Sequence, residues 1–287
     1  MKLLRFIPAL ACLAAITASA QPISVDTAER LLHRDFFVFD NGAGRGEWTL
    51  EQQAETLARL GYAGIGYTGV EDLEARLAAF EQHGVRVFNL YVGCDISADP
   101  PYSDDLKAAI PRLKGTGVAL WLFVQGRADD DTKAVQVVSE IADLAAESDV
   151  PVALYPHFGF FIADIEHAVR IAEQADRKNL GITFNLCHEL RAGNEARFEA
   201  LLDTALPRLS FVSINGADHE GGWDKLIQPL GHGAFDVEGF LRTLLSKGYD
   251  GPIGLQCYAV PGDTMENLQH NIAEWKAMVG RMAEAKP

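Results

Sequence analysis

The chain has 287 residues, 48% hydrophobic and 23% charged, the balance of an ordinary globular protein rather than a disordered one. Its formal net charge of −15 repels nucleic acid, anionic lipid and polyanionic sugars, which leaves a small neutral molecule as the easier partner. The length admits one large α/β barrel or two smaller domains, and either buries a sizeable core.

In chain order, residues 1–20 come first. Lys2 and Arg5 precede an apolar stretch from Phe6 to Ile16, and Ala18-Ser19-Ala20 follows. That is the pattern of a secretory signal peptide cleaved before Gln21. The apolar stretch is too short for a permanent bilayer-spanning helix. The expectation is export to a periplasmic or extracellular space without stable membrane insertion. A lipoprotein anchored at Cys12 is the alternative, although Ala9 stands where a lipobox has Leu. Cleavage removes two bases and no acids, so residues 21–287 carry 23 bases against 40 acids, a net charge of −17. Cys94, Cys187 and Cys257 remain. Three thiols make no disulfide framework, allow at most one pair, and read mainly as small apolar residues.

From residue 36 onward, short β-branched or aromatic runs alternate with helix-patterned segments. "FFVFDN" at 36 is the first predicted strand. In "NGAGRGEW" after it, Gly42, Gly44 and Gly46 are spaced G-x-G-x-G, which fails the dinucleotide-binding fingerprint; the segment reads as the first loop over a barrel mouth. The helix "TLEQQAETLARL", the strand "YAGIGYT" at 62, the helix "EDLEARLAAFEQHG" and the strands "VRVFNLYV" at 85 and "VALWLFVQ" at 118 follow. Then come the helix "DDTKAVQVVSEIADLAAES", the strand "PVALYPH" at 151 and the helix "IADIEHAVRIAEQADR". The strands "LGITFNL" at 180 and "SFVSING" at 210, the helix "VEGFLRTLLSKG" and the strand "PIGLQCY" at 252 complete the series. Eight continuous apolar strands separated by helices imply parallel pairing with both faces covered. With no linker or low-complexity stretch between them, they predict a single (β/α)8 TIM barrel over residues 21–287.

Such a barrel presents its chemistry at the C-terminal ends of its strands. Those positions hold Asp40 and Asn41, Tyr67, Asp95, Gln125 and Arg127, His157, Asn185 and His188, Asn215 and Asp218, and Gln256 and Tyr258.

The segment "PVALYPHFGFFIADIEHAVRIAEQADRKNLGITFNLCHEL", the strand "LSFVSINGAD", and "GAFDVEGFLRTLLSKGYDGPIGLQC" with its Gly-Tyr-x-Gly turn resemble the xylose isomerase-like TIM barrels, the sugar phosphate isomerase and epimerase superfamily. The resemblance covers roughly residues 36 to 280 and is better from 150 onward. It implies aldose-ketose isomerisation, epimerisation or related lyase chemistry, and a divalent metal held by two Glu, an Asp and a His. Here the Asp position is Asn185, the His position is Asn215, the last Glu is Gln256, and the first Glu falls near His157 or Ala163. Amide oxygens alone bind such ions weakly, so no cofactor is expected; zinc or manganese on His157, His188 and Asp218 is the alternative.

The candidate catalytic residues are therefore His157, His188 and Asp218. The imidazoles titrate near neutrality and suit acid and base roles. Asn185, Asn215 and Gln256 are candidate substrate contacts, donating hydrogen bonds to a developing enolate oxygen. Arg127, Tyr258 and, in "PLGHGAFD", His232 are further candidate contacts. Export favours an unphosphorylated sugar or keto-sugar, since sugar phosphates are usually intracellular. A non-catalytic sugar-binding protein, with Trp223, Tyr67, Tyr155 and Tyr258 as platforms, is the second reading. The particular sugar and the oligomeric state stay open.

Overall fold

Each of the eight predicted strands forms, and the strands close on themselves. A computed structural model describes residues 22–284; the expected signal peptide and Cys12 lie outside the described residues. The strands are β1 (Phe36–Phe39), β2 (Gly64–Thr68), β3 (Arg86–Asp95), β4 (Ala119–Gln125), β5 (Val152–Leu154), β6 (Leu180–Asn185), β7 (Leu209–Ile214) and β8 (Ile253–Leu255). They run in sequence order around a closed parallel barrel, in which β8 pairs with β1. The protein is thus a single (β/α)8 barrel, as the alternation predicts.

Side chains alternate across each strand, and the alternation divides the core. Phe36 and Val38 point outward into the large aliphatic layer between strands and helices. Phe37 and Phe39 belong to an aromatic cluster with Phe88, Trp121, Tyr155 and Phe211. Phe37 stacks on Phe88 at 4.4 Å, and Trp121 meets Phe211 edge-on at 5.2 Å. The barrel interior is a packed aromatic plug, not a channel.

The helices form where the sequence caps them. Thr49 and Gln52 make a reciprocal capping box at the start of the helix Leu50–Leu60, and Gly61 ends it with φ of 90°. The helix Thr264–Ala283 returns to the face opposite the strand ends, where Met282 O accepts from Ile23 N. Trp275 of that helix stacks on Phe36 at 4.1 Å. No helix among the described residues is long and apolar enough to cross a membrane. Cys94, Cys187 and Cys257 are buried and unbonded, and burial pushes each thiol up to about 12.

One local expectation changes. The predicted strand "LGITFNL" runs one residue too far: β6 stops at Asn185 and the helix Leu186–Arg191 begins at once. Leu, Glu, Leu and Arg in this stretch are strong helix formers. Glu189 there reaches sideways, its Oε1 accepting from Ile165 N at 2.8 Å, at the start of the helix Ile165–Ala175. His188 is therefore presented by a helical turn above the end of β6.

Candidate active site

At the C-terminal ends of the strands a cavity of about 330 Å³ opens, at the small end of the range for ligand sites. It reaches below the strand ends, bordered there by Asn89 of β3 and Trp121 of β4. Gly66 makes this depth possible, because a Cβ at that position would come within 2.5 Å of Asn89 Oδ1.

One wall is built by β5 and β6. The chain leaves β5 through Tyr155 to His157, and the two imidazoles of His157 and His188 lie 4.1 Å apart. His157 is sandwiched on its other side by Phe160 at 3.8 Å and nearly parallel. Its Nδ1 is 2.9 Å from the Phe158 carbonyl. A carbonyl oxygen only accepts, so Nδ1 carries the proton and Nε2 keeps a lone pair. Burial lowers the His157 pKa below its ordinary value, and the backbone hydrogen bond offsets only part of this. His188 is held well below its ordinary value, first by burial and then by the neighbouring His157. Both rings are neutral at pH 7.

The opposite wall belongs to β1 and β2, since β1 stands across an eight-stranded ring from β5. Asp40 is 2% exposed at the end of β1. Its carboxylate accepts from Thr68 N at 3.0 Å, from Thr68 Oγ1 at 3.1 Å and from Arg45 Nη1 at 3.4 Å. Arg45 Nη1 also donates to Thr68 Oγ1 at 2.8 Å. Between the walls, Gln256 Oε1 accepts from Asn41 Nδ2 at 2.7 Å and from Tyr258 N at 2.9 Å. Tyr155 is buried, and its phenol lies well above its ordinary pKa because of that burial.

Three buried polar atoms of cavity residues have no hydrogen-bond partner among the described residues: Asn89 Oδ1, Trp121 Nε1 and His188 Nδ1. Buried polar groups are normally satisfied, so a cavity floor with an acceptor and a donor left over is chemically suited to hydroxyl groups.

Of the residues singled out from sequence, the structure brings to the cavity His157, His188, Gln256 and Tyr258, the strand-end residues Asp40, Asn41 and Tyr67, and the aromatic side chains of Tyr155 and Trp223. It does not bring the others to the cavity. Asn185 is fully buried and spends its amide on the fold: Nδ2 donates to Pro156 O and Thr183 Oγ1, and Oδ1 accepts from Ser213 Oγ. Asn215 is equally buried and donates to Gly216 O and Leu226 O, pinning the turn that carries Trp223. Asp218 Oδ1 accepts from Ala234 N and staples two loops. Arg127 and His232 are exposed and border other surfaces, His232 lying 5.0 Å from the His270 ring. Tyr155, not His157 or Ala163, directly follows the end of β5. Asn89, Trp121, Tyr91, Thr68 and Arg45 border the cavity without having been singled out from sequence.

The model of the xylose isomerase-like TIM barrel family matches residues 54–278. The chain belongs to that family. Among relatives of this xylose isomerase-like barrel, an uncharacterised protein of Methanocaldococcus jannaschii is 30% identical over 122 residues, 42% of this chain. The chain thus spans about two fifths (41%) of that relative's length. The crystal structure of a 3-keto-D-glucoside 4-epimerase from E. coli superimposes with a TM-score of 0.70 at 15% identity, covering 85% of this chain and 99% of that one. D-psicose 3-epimerase from Clostridium cellulolyticum H10 does so with 0.62 at 16% identity, covering 87% and 95%. At such identities the likeness is one of fold.

The resemblance to this family implies a divalent metal, and the residues present do not fit one. Among the described residues no three His, Cys, Asp or Glu side chains come together in a set able to hold a metal ion. At the ligand positions stand Asn185, whose amide is spent on structural hydrogen bonds, Asn215, whose Nδ2 is likewise spent and whose buried oxygen, without a partner among the described residues, does not border the cavity, and Gln256, whose oxygen already accepts twice. The one carboxylate among the described residues that borders the cavity, Asp40, is engaged on the far wall.

Proposed function

We propose that this barrel is an exported carbohydrate isomerase- or epimerase-like enzyme. It moves a proton at the carbon beside the carbonyl of an unphosphorylated keto-sugar, without the divalent metal of its family. The observation that carries this reading is the His157–His188 pair, neutral and in contact, with the Nε2 lone pair of His157 left by its bond to Phe158 O. A neutral, partly buried imidazole is a competent base at pH 7. The partnerless atoms of Asn89 and Trp121 suit sugar hydroxyls, and the aromatic floor suits the apolar face of a sugar ring. The sugar epimerases among the structural neighbours, which act on a 3-keto-D-glucoside and on D-psicose, agree with the size and polarity of such a ligand.

The test is proton exchange. Residues 21–287 are incubated in D2O with methyl 3-keto-α-D-glucopyranoside and with D-psicose, and deuterium entering beside the carbonyl is followed by NMR. Exchange that disappears in His157→Gln supports the reading. Tight binding of these sugars with no exchange would instead identify a sugar-binding protein.

A further inference from the structure

An enolate formed against His157 needs positive charge on its oxygen, and the donor set for a metal is missing. We propose that Arg45 supplies that charge, as a catalytic residue facing the histidines from the opposite wall; the inference rests on the proton-transfer reading above. Arg45 is the one lysine or arginine among the described residues bordering the cavity. Its side chain is 46% exposed, whereas that of its anchor Asp40 is 3% exposed. Both of its side-chain hydrogen bonds use Nη1, so Nη2 and Nε carry none to the described chain. Asp40 divides its acceptor capacity among Thr68 N, Thr68 Oγ1 and Arg45, and so holds the guanidinium without covering its outer edge.

The loop is shaped to keep it there. Gly44 and Gly46 on either side have φ of 69° and 80°, and a Cβ on Gly44 would fall 2.4 Å from the Trp48 ring. Arg45 N donates to Asp40 O at 3.2 Å, which closes the loop over the end of β1. In the reaction, His157 Nε2 takes the proton from the carbon beside the carbonyl. The C–H pair becomes a C=C bond, and the carbonyl π pair moves onto oxygen, where Arg45 N–H groups bind it. Return of the proton from the imidazolium to carbon, with collapse of the oxygen pair, restores a carbonyl compound. No oxidant or co-reactant is required.

The same exchange assay tests this, using methyl 3-keto-α-D-glucopyranoside with Arg45→Ala, Arg45→Gln and Arg45→Lys, each checked by thermal melting. Wild type is expected to exchange, Arg45→Gln and Arg45→Ala to lose about 100-fold or more in rate, and Arg45→Lys to keep part of it. Guanidinium chloride at tens of millimolar (~50 mM), well below the denaturing range, is expected to restore exchange to Arg45→Ala. Folded variants that exchange at the wild-type rate, or a loss that guanidinium does not rescue, would overturn the charge role while leaving the base in place. A wild type that exchanges nothing would overturn the proton-transfer reading itself, and this inference with it.

Discussion

His157 is fixed in one tautomer by a backbone carbonyl and flattened against Phe160, so its proposed role as a base rests on a single nitrogen. His157→Gln keeps a polar side chain but has no base. Its kcat is expected to fall by about 10²–10⁴-fold with KM little changed, measured on whichever keto-sugar exchanges. Because burial lowers both imidazole pKa values, kcat/KM should rise with pH through a value below 6.5 and be flat above it. A profile that keeps rising well above pH 7 would point to another base. At this scale His157, His188 and Gln256 were legible in the sequence because they interrupt or follow apolar runs where a barrel keeps its chemistry. Trp121 and Asn89 were not, because they lie inside strands. Whether an inward position packs or borders a cavity depends on a missing side chain elsewhere, here Gly66 on the neighbouring strand. Arg45 was hidden for a different reason: the fold of its loop is set by tertiary anchors on Asp40 and Thr68, which lie outside the loop's own spacing.

At the scale of elements, the positions that resemble metal ligands have become fasteners. Asn185 ties β6 to the chain leaving β5 through Pro156 O and to β7 through Ser213. Asn185→Leu leaves the Ser213 hydroxyl and the Pro156 carbonyl buried without this partner, and is expected to cost about 2–4 kcal/mol in chemical denaturation. Arg127→Ala, at an exposed site with no side-chain hydrogen bond to the described residues, is expected to stay within about 0.5 kcal/mol of wild type. Equal effects of the two would contradict the fastener role. All eight strands could be read from sequence because continuous apolar runs bounded by turns have few other solutions. The direction of an asparagine side chain could not, since the same residue at a strand end serves a ligand or a neighbouring strand equally well.

Over the whole molecule, buried titratable groups set how stability follows pH. His157 and His188 have folded pKa values below 6.5, so below that pH the unfolded chain takes protons that the native state resists. Their contribution is intact above pH 6.5 and is lost on acidification toward the lowered values. Glu189 runs the other way. Burial raises it from 4.5 to about 7, so its protonated form is favoured in the fold; that contribution is full below pH 4.5 and lost as pH rises through 7. Glu189→Gln retains an oxygen for Ile165 N and has no charge to bury. It is expected to raise the melting temperature at pH 8, by the equivalent of about 2–3 kcal/mol, and to change little at pH 4.5. A variant less stable than wild type at pH 8 would show that the carboxylate stays ionised at no cost.

The clasp between Ile23 N and Met282 O lies at the face of the barrel opposite the cavity. Anything joined chemically at residue 22 or residue 284 therefore starts from the back of the molecule. Immobilised on a bead or sensor chip through either position, the barrel would stand with its opening outward, and a sugar would reach it as freely as in solution.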